Sequence, residues 1–376
     1  MEPTMFATRR ALLGGFAALP LAGAFPALAR SQTHEAAEAA LEAVFAETAP
    51  PALAAGIVSR DGLGWAGVRG VRRAGHEAAA TLEDRWHLGS NTKAMTAAVI
   101  GRLVDQGRAR WDMPLAEALP GLTIDPAWAT TTLDDLMHHR AGLLDAGLLD
   151  QAWLIAAHAD LRPLPEQRAE FAARALGAPP AGPAGQFTYG NGNYIVVGAA
   201  IEAITGQPWE TAIAAELYQP LGLTSAGFGA PRGEAPWGHR GGVAVDPAGF
   251  ADNPRALGPA GTAHMTLADY ARFVAAMMGG RPDWISEATR AHLLTPAAGA
   301  PPAYACGWGV GSAPWAGVGG AGPTITHNGS NTMWFATVLA APERGLGFIA
   351  LSNDGAAGQR ACQTLIQRLA AGAAAA

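Results

Sequence analysis

Strand-like stretches lie at both ends of this 376-residue chain, and most of what separates them reads as helix. Near the start, Ala54–Ser59 and Gly64–Gly70 flank Asp61-Gly62, a pair suited to a tight hairpin turn. Far downstream come Gly307–Val310, Trp334–Leu339 and Gly347–Leu351, before a closing helix near Gln359 to Leu369. Between them, Leu133–Met137 and Glu166–Ala175 have helical character, as does Glu35–Phe45 ahead of the first strand. Strands drawn from both ends of a chain are most simply joined in one sheet, with the helical middle as an insertion.

Composition limits what such a chain can do. With 49% hydrophobic and 15% charged residues and a net charge of -6, it has the makings of a sizeable core and no basic excess, which argues against nucleic acid as a partner. Its 48 glycines and 27 prolines point to many turns rather than to disorder. Thr8-Arg9-Arg10 opens an apolar stretch that runs to Phe25, and Ala27-Leu28-Ala29 offers small residues at the two positions that a signal peptidase reads. This pattern predicts a cleavable export signal of the twin-arginine type over residues 1–29 and a periplasmic destination. A membrane span needs about 20 apolar residues, and this stretch is shorter and broken by Pro20 and Pro26, so no stable membrane insertion is expected once the signal is removed.

The stretch Trp86–Ile100 combines a small-residue turn, Ser90-Asn91-Thr92-Lys93, and an apolar run at helical spacing that extends to about Gln106. Residues three apart share a helix face, so Lys93 would hold its amine beside the Ser90 hydroxyl. A serine is a poor nucleophile until a base takes its proton, and a desolvated lysine can have its pKa lowered enough to serve. At the first turn, the Ser90 N–H is also available to a developing oxyanion. Taken alone, the tetrapeptide equally fits an N-cap serine followed by a solvated lysine.

Two further boxes follow. Tyr189-Gly190-Asn191 precedes an apolar helix at Ile195–Ile201 and would put a phenol and a carboxamide on a loop. A lysine cation beside Tyr189 could hold it partly as phenolate, suited to shuttle protons, and Asn191 could orient Lys93 and a substrate amide together. The other reading is a glycine-rich turn with a packed tyrosine. His327-Asn328-Gly329-Ser330 precedes the Trp334 strand. There Gly329 permits close approach of a ligand, Ser330 N–H is the natural second oxyanion donor, and His327 either donates to substrate or stays neutral and packs.

The three boxes in this order resemble those of the serine β-lactamase and penicillin-binding-protein superfamily, in particular its class C and DD-peptidase-like branch, which includes esterases and D-amino-acid peptidases. Supporting stretches are Leu136–Leu143, Gly206–Trp209, Pro220–Leu223, Pro259–Gly261 and Cys306–Val310, so the resemblance runs from about Ala54 to Asn353. It implies an α+β fold of the β-lactamase/transpeptidase-like kind. This fold has a mixed, mainly antiparallel sheet flanked by helices (about 33–85 and 255–376 within a domain of 33–376) and an inserted all-helical subdomain (about 95–250). It also implies a covalent acyl-enzyme without metal or organic cofactor. Ser90, Lys93 and Tyr189 would be catalytic, and Asn191, His327, Gly329 and Ser330 substrate-binding. Gly190 stands where the family often has serine, a small loss. His327 stands where class C β-lactamases usually have lysine, which favours an ester or D-amino-acid peptide substrate over a β-lactam. The alternatives are a class C-like β-lactamase and a catalytically slow penicillin-binding or sensor module. Cys306 and Cys362 are the only cysteines; they either pair or stay as separate buried thiols, and their spacing suggests no metal site.

Overall fold

The computed structural model describes residues 24–299 and 301–375, so most of the expected export signal lies outside the described residues. Among the described residues eleven strands are formed: β1 (Ala52–Ser59), β2 (Gly62–Gly70), β3 (Arg85–His87), β4 (Gly227–Phe228), β5 (Gly238–Arg240), β6 (Val243–Val245), β7 (Ala263–Thr266), β8 (Gly309–Gly317), β9 (Gly320–Ser330), β10 (Phe335–Ala341) and β11 (Leu346–Ser352). Six of them make one sheet in the order β2-β1-β11-β10-β9-β8, so strands from the two chain ends do meet, at the β1–β11 pair. Every pairing in this sheet is antiparallel, which makes it simpler than the mixed sheet expected.

Alternation along the strands decides the layers. Leu53 and Ala55 of β1, with Phe348 and Ala350 of β11, face a cluster built with Leu41, Val44, Leu365 and Ile366 of the two terminal helices, Ala24–Thr48 and Ala357–Ala375. Their sheet neighbours Ala54, Val58, Ile349 and Leu351 face the opposite way, into the large core shared with the helices Thr92–Asp105, Asn191–Thr205 and Leu267–Ala275. A period of two thus buries both faces of one sheet. Arg69 on β2 pairs with Glu38 and with Glu42 (2.6 Å), tying the first helix to the sheet.

The insertion is not purely helical. β4 joins β3 and β7 in a three-stranded sheet, and β5–β6 form a hairpin that returns to the main sheet through a bridge between His239 and Asp354. Met333 and Trp334 cluster with Ala230 and Ala251, so the stretch around 230–251 packs with the sheet side of the molecule. The two cysteines are separate buried thiols, in different hydrophobic clusters. No helix among the described residues is long and apolar enough to cross a membrane.

Candidate active site

Ser90 sits on a 3-10 turn, Gly89–Asn91, that feeds directly into the Thr92–Asp105 helix. Two glycines let this turn press against the end of β9. Gly89 has φ +52°, and a Cβ on it would stand 2.3 Å from Ser330 N. A Cβ on Gly329 would stand 1.9 Å from Leu88 O. Such separations are impossible for real atoms, so the close approach of the two backbones exists only because both positions lack a side chain. Gly329 therefore serves contact between strand and turn, where the sequence suggested room for a ligand. The contact brings the backbone of Ser330 to that of Gly89, next to Ser90.

Lys93 is completely buried, and its Nζ has three neighbours: Ser90 Oγ at 3.0 Å, Asn191 Oδ1 at 2.8 Å and Ala260 O at 2.8 Å. Burial lowers its pKa to about 7, partly opposed by the charge of Asp145. A neutral amine has two hydrogens and one lone pair. Asn191 Oδ1 and the Ala260 carbonyl can only accept, so they take the two hydrogens and leave the lone pair for the Ser90 O–H. The carbonyl comes from the Pro259–Gly261 stretch, whose neighbouring Pro259 O accepts from Thr96 Oγ1 at 2.8 Å.

Asn191 lies not on a loop but in the first turn of the helix Asn191–Thr205. Its N-cap, Gly190, has no side chain to offer, and the cap comes instead from Asp145, which accepts from Asn191 N at 2.7 Å and Gly192 N at 2.8 Å. A carboxylate at a helix N-terminus satisfies orphan donors and complements the dipole. Here it also fixes the residue that holds Lys93. The sequence reading missed Asp145, because a cap supplied from 46 residues away leaves no local signature. The Leu136–Leu143 stretch that precedes it was the available hint.

Tyr189 lies with its ring centroid 4.8 Å from Lys93 Nζ. Burial raises its pKa despite a hydrogen bond with Ser90 that works the other way, even though 41% of the residue is exposed. The expected partial phenolate is therefore not what the surroundings favour: with Lys93 near neutrality and the phenol desolvated, Tyr189 remains a proton donor. His139 supports it, with ring centroids 4.5 Å apart, and its own imidazole is kept neutral by burial and by the nearby Lys93.

His327 is buried, and its Nε2 shares a hydrogen bond of 3.0 Å with Tyr304 Oη. Burial, with a further push from Lys93, lowers its pKa to about 3. It belongs to the wall beside Tyr189, whose ring lies 6.2 Å away, and one of its two ring nitrogens is already engaged. Ser330 is the exposed last residue of β9, and its Oγ donates to Trp334 O at 2.7 Å. The third box thus lies inside a strand paired with β10, not ahead of the sheet. The geometry brings Lys93 and Tyr189 to the Ser90 hydroxyl, Asn191 to the Lys93 amine, and Gly329 and Ser330 to the turn that carries Ser90.

The Beta-lactamase family pattern matches residues 37–373. Penicillin-binding protein 4 of Amycolatopsis lactamdurans is 30% identical over 313 residues, covering 77% of this chain and 77% of that protein. Unguisins hydrolase ungD' of Aspergillus campestris (strain IBT 28561) is 26% identical over 251 residues, 61% of this chain and 46% of that protein. Among solved structures, SurE superposes with a TM-score of 0.73 at 23% identity, covering 92% of this chain and 77% of that one. A D-stereospecific amidohydrolase from Streptomyces sp. superposes with a TM-score of 0.68 at 22% identity, covering 89% of this chain and 97% of that one. At these identities the two structural likenesses speak for the fold.

Proposed function

This chain belongs to the beta-lactamase family, and from that premise we propose that it is a periplasmic serine hydrolase that cleaves an ester or D-amino-acid peptide through a covalent acyl-enzyme. The observation that carries the reading is the lone pair of a near-neutral Lys93 aimed at Ser90, 3.0 Å away. Ser90 Oγ attacks the substrate carbonyl while its proton passes to Lys93, and the oxyanion rests on the Ser90 and Ser330 N–H groups. As the intermediate collapses, Tyr189 gives its proton to the leaving oxygen or nitrogen and recovers one from Lys93. Water then repeats the sequence on the acyl-enzyme and releases the acid. Asn191 holds the amine in place throughout. A neutral, engaged His327 supports substrates that need no lysine-like charge.

The test is a panel of p-nitrophenyl esters, D-alanyl peptides and a chromogenic cephalosporin, run beside labelling with a serine-directed phosphonate. Small esters or D-peptides should be turned over faster than the cephalosporin, and Ser90→Ala should abolish both turnover and labelling. Labelling that persists at another serine would remove Ser90 from the mechanism. A parent enzyme that prefers the cephalosporin would favour the lactamase alternative, and stable acylation by penicillin without turnover the slow penicillin-binding one.

A further inference from the structure

Away from Ser90, three residues from separate segments converge on one point. Asp134 belongs to the helix Leu133–Met137, His292 to the helix Glu287–Leu294, and Cys306 to the turn before β8. One carboxylate oxygen, one imidazole nitrogen and one sulfur all lie within 4.8 Å of one another. Asp134 Oδ1 is 2.8 Å from His292 Nε2 and 3.7 Å from Cys306 Sγ. A fourth group borders them: His138 Nδ1 is 3.4 Å from Asp134 Oδ2, and both its ring nitrogens are 3.9 Å from Cys306 Sγ.

We propose that Asp134, His292 and Cys306 form a binding site for a thiophilic divalent cation of the zinc class, with His138, whose ring nitrogens face the Asp134 and Thr295 carbonyls, packed beside it. A zinc ion at roughly 2.0–2.3 Å from each donor sets tetrahedral ligand atoms roughly 3–4 Å apart, close to the spacings present here. The mixed N, O and S set selects against magnesium and calcium, which take oxygen ligands. Access is available: Cys306 is fully buried, but the Asp134 and His292 side chains are 26% and 31% exposed, so a hydrated ion can enter from their side. Trp111 stacks on His292 with centroids 3.9 Å apart and fixes the plane of its ring.

A bound divalent ion would take Cys306 as thiolate, its charge offset by that of the metal. On binding, the Cys306 S–H bond breaks and its proton passes to solvent, the Nε2 proton that His292 directs at Asp134 is given up while Nδ1 takes one from solvent, and S–metal and Nε2–metal bonds form. The position gives the site a use. Gly307, next in sequence to Cys306, touches the start of the nucleophile helix so closely that a Cβ there would stand 2.4 Å from Ala94 N. An ion held by Cys306 would brace this contact with the backbone that carries Lys93. The other two donors lie 158 and 172 residues from Asp134, a spacing no sequence motif for metal ligation describes.

The experiment uses the purified protein stripped with a chelator and dialysed against Co(II) or Zn(II), with bound metal counted by elemental analysis and the Co(II) absorption spectrum recorded. One equivalent per chain and a thiolate-to-cobalt charge-transfer band are expected. Cys306→Ser should remove the band, His292→Ala should weaken binding by at least ~10-fold, and replacement of the exposed His76 by alanine should change neither. Metal that does not bind the parent chain, or a band and stoichiometry that survive both Cys306→Ser and His292→Ala, would overturn the proposal. His292 is partly exposed on a short helix, so its variant keeps the test decisive should the buried serine substitution fold poorly, with circular dichroism as the check on each. None of these readouts depends on Ser90 chemistry, so the hydrolase reading can fail without this one.

Discussion

A lysine with no exposed surface is driven toward neutrality by desolvation, and the consequence can be read in a pH profile. With Lys93 lowered to about 7 and active as the free base, kcat/KM should rise with pH through about 7 and then level. Lys93→Ala should lose at least ~10²-fold in rate and flatten that limb. Asp145 provides the complementary test, because its charge raises the Lys93 pKa. Asp145→Asn should move the ascending limb to lower pH and reduce kcat, through the weakened cap on Asn191. A limb that stays in place would remove Asp145 from the electrostatics of the site. The same depressed pKa has a sign in stability. Between about 7 and the usual lysine value the unfolded chain binds more protons than the native one, so this group's contribution rises with pH across that window. His327, held neutral down to about 3, should contribute no step to the profile above pH 4 or so.

At the scale of elements, the site depends on one backbone contact between the Gly89–Asn91 turn and the end of β9. Gly329→Ala would insert a methyl group into Leu88 O, and Gly89→Ala would add a left-handed backbone conformation to a clash with Ser330 N. Each should cost about 1–3 kcal/mol in thermal or denaturant unfolding, the scale of overpacking. Phosphonate labelling of Ser90 should fall disproportionately, because the two backbones that would hold the oxyanion are forced apart. A variant with full labelling and a normal unfolding midpoint would mean that the turn can retreat without loss.

For the molecule as a whole, the helical side is held to the rest through a buried ion cluster. Arg168, with no exposed side chain, donates to Glu202 at 2.5 Å, to Glu210 at 2.5 Å and to the carbonyls of Ala256 and Arg255 at 3.1 Å. Removing the cation leaves Glu202 buried without its partner, so Arg168→Ala should destabilise by about 3–5 kcal/mol, measured by denaturant unfolding. The export reading belongs to this scale as well. Mass spectrometry of the protein recovered from a periplasmic fraction should give an N-terminus near Arg30, and a full-length cytoplasmic chain would refute the signal over residues 1–29.

The sequence alone singled out the candidate residues and most of the segments that form the sheet. Ser-x-x-Lys gains its meaning from helical spacing, a local property, and strands at both ends have few ways to satisfy their hydrogen bonds other than with each other. β9 escaped that reading because its glycines and proline, Gly320 to Pro323 among them, weaken the strand pattern. Tertiary structure decided what each candidate faces. His327 and Tyr189 could each be read two ways in sequence, and desolvation, which exists only once other segments surround a group, keeps both neutral. The cap from Asp145, the Ala260 carbonyl on Lys93 and the Asp134–His292–Cys306 cluster are long-range meetings of residues that are unremarkable where they stand in the chain. Spacing along a sequence encodes a shared face of one helix or strand. Which faces then meet is decided by the packing of the whole core.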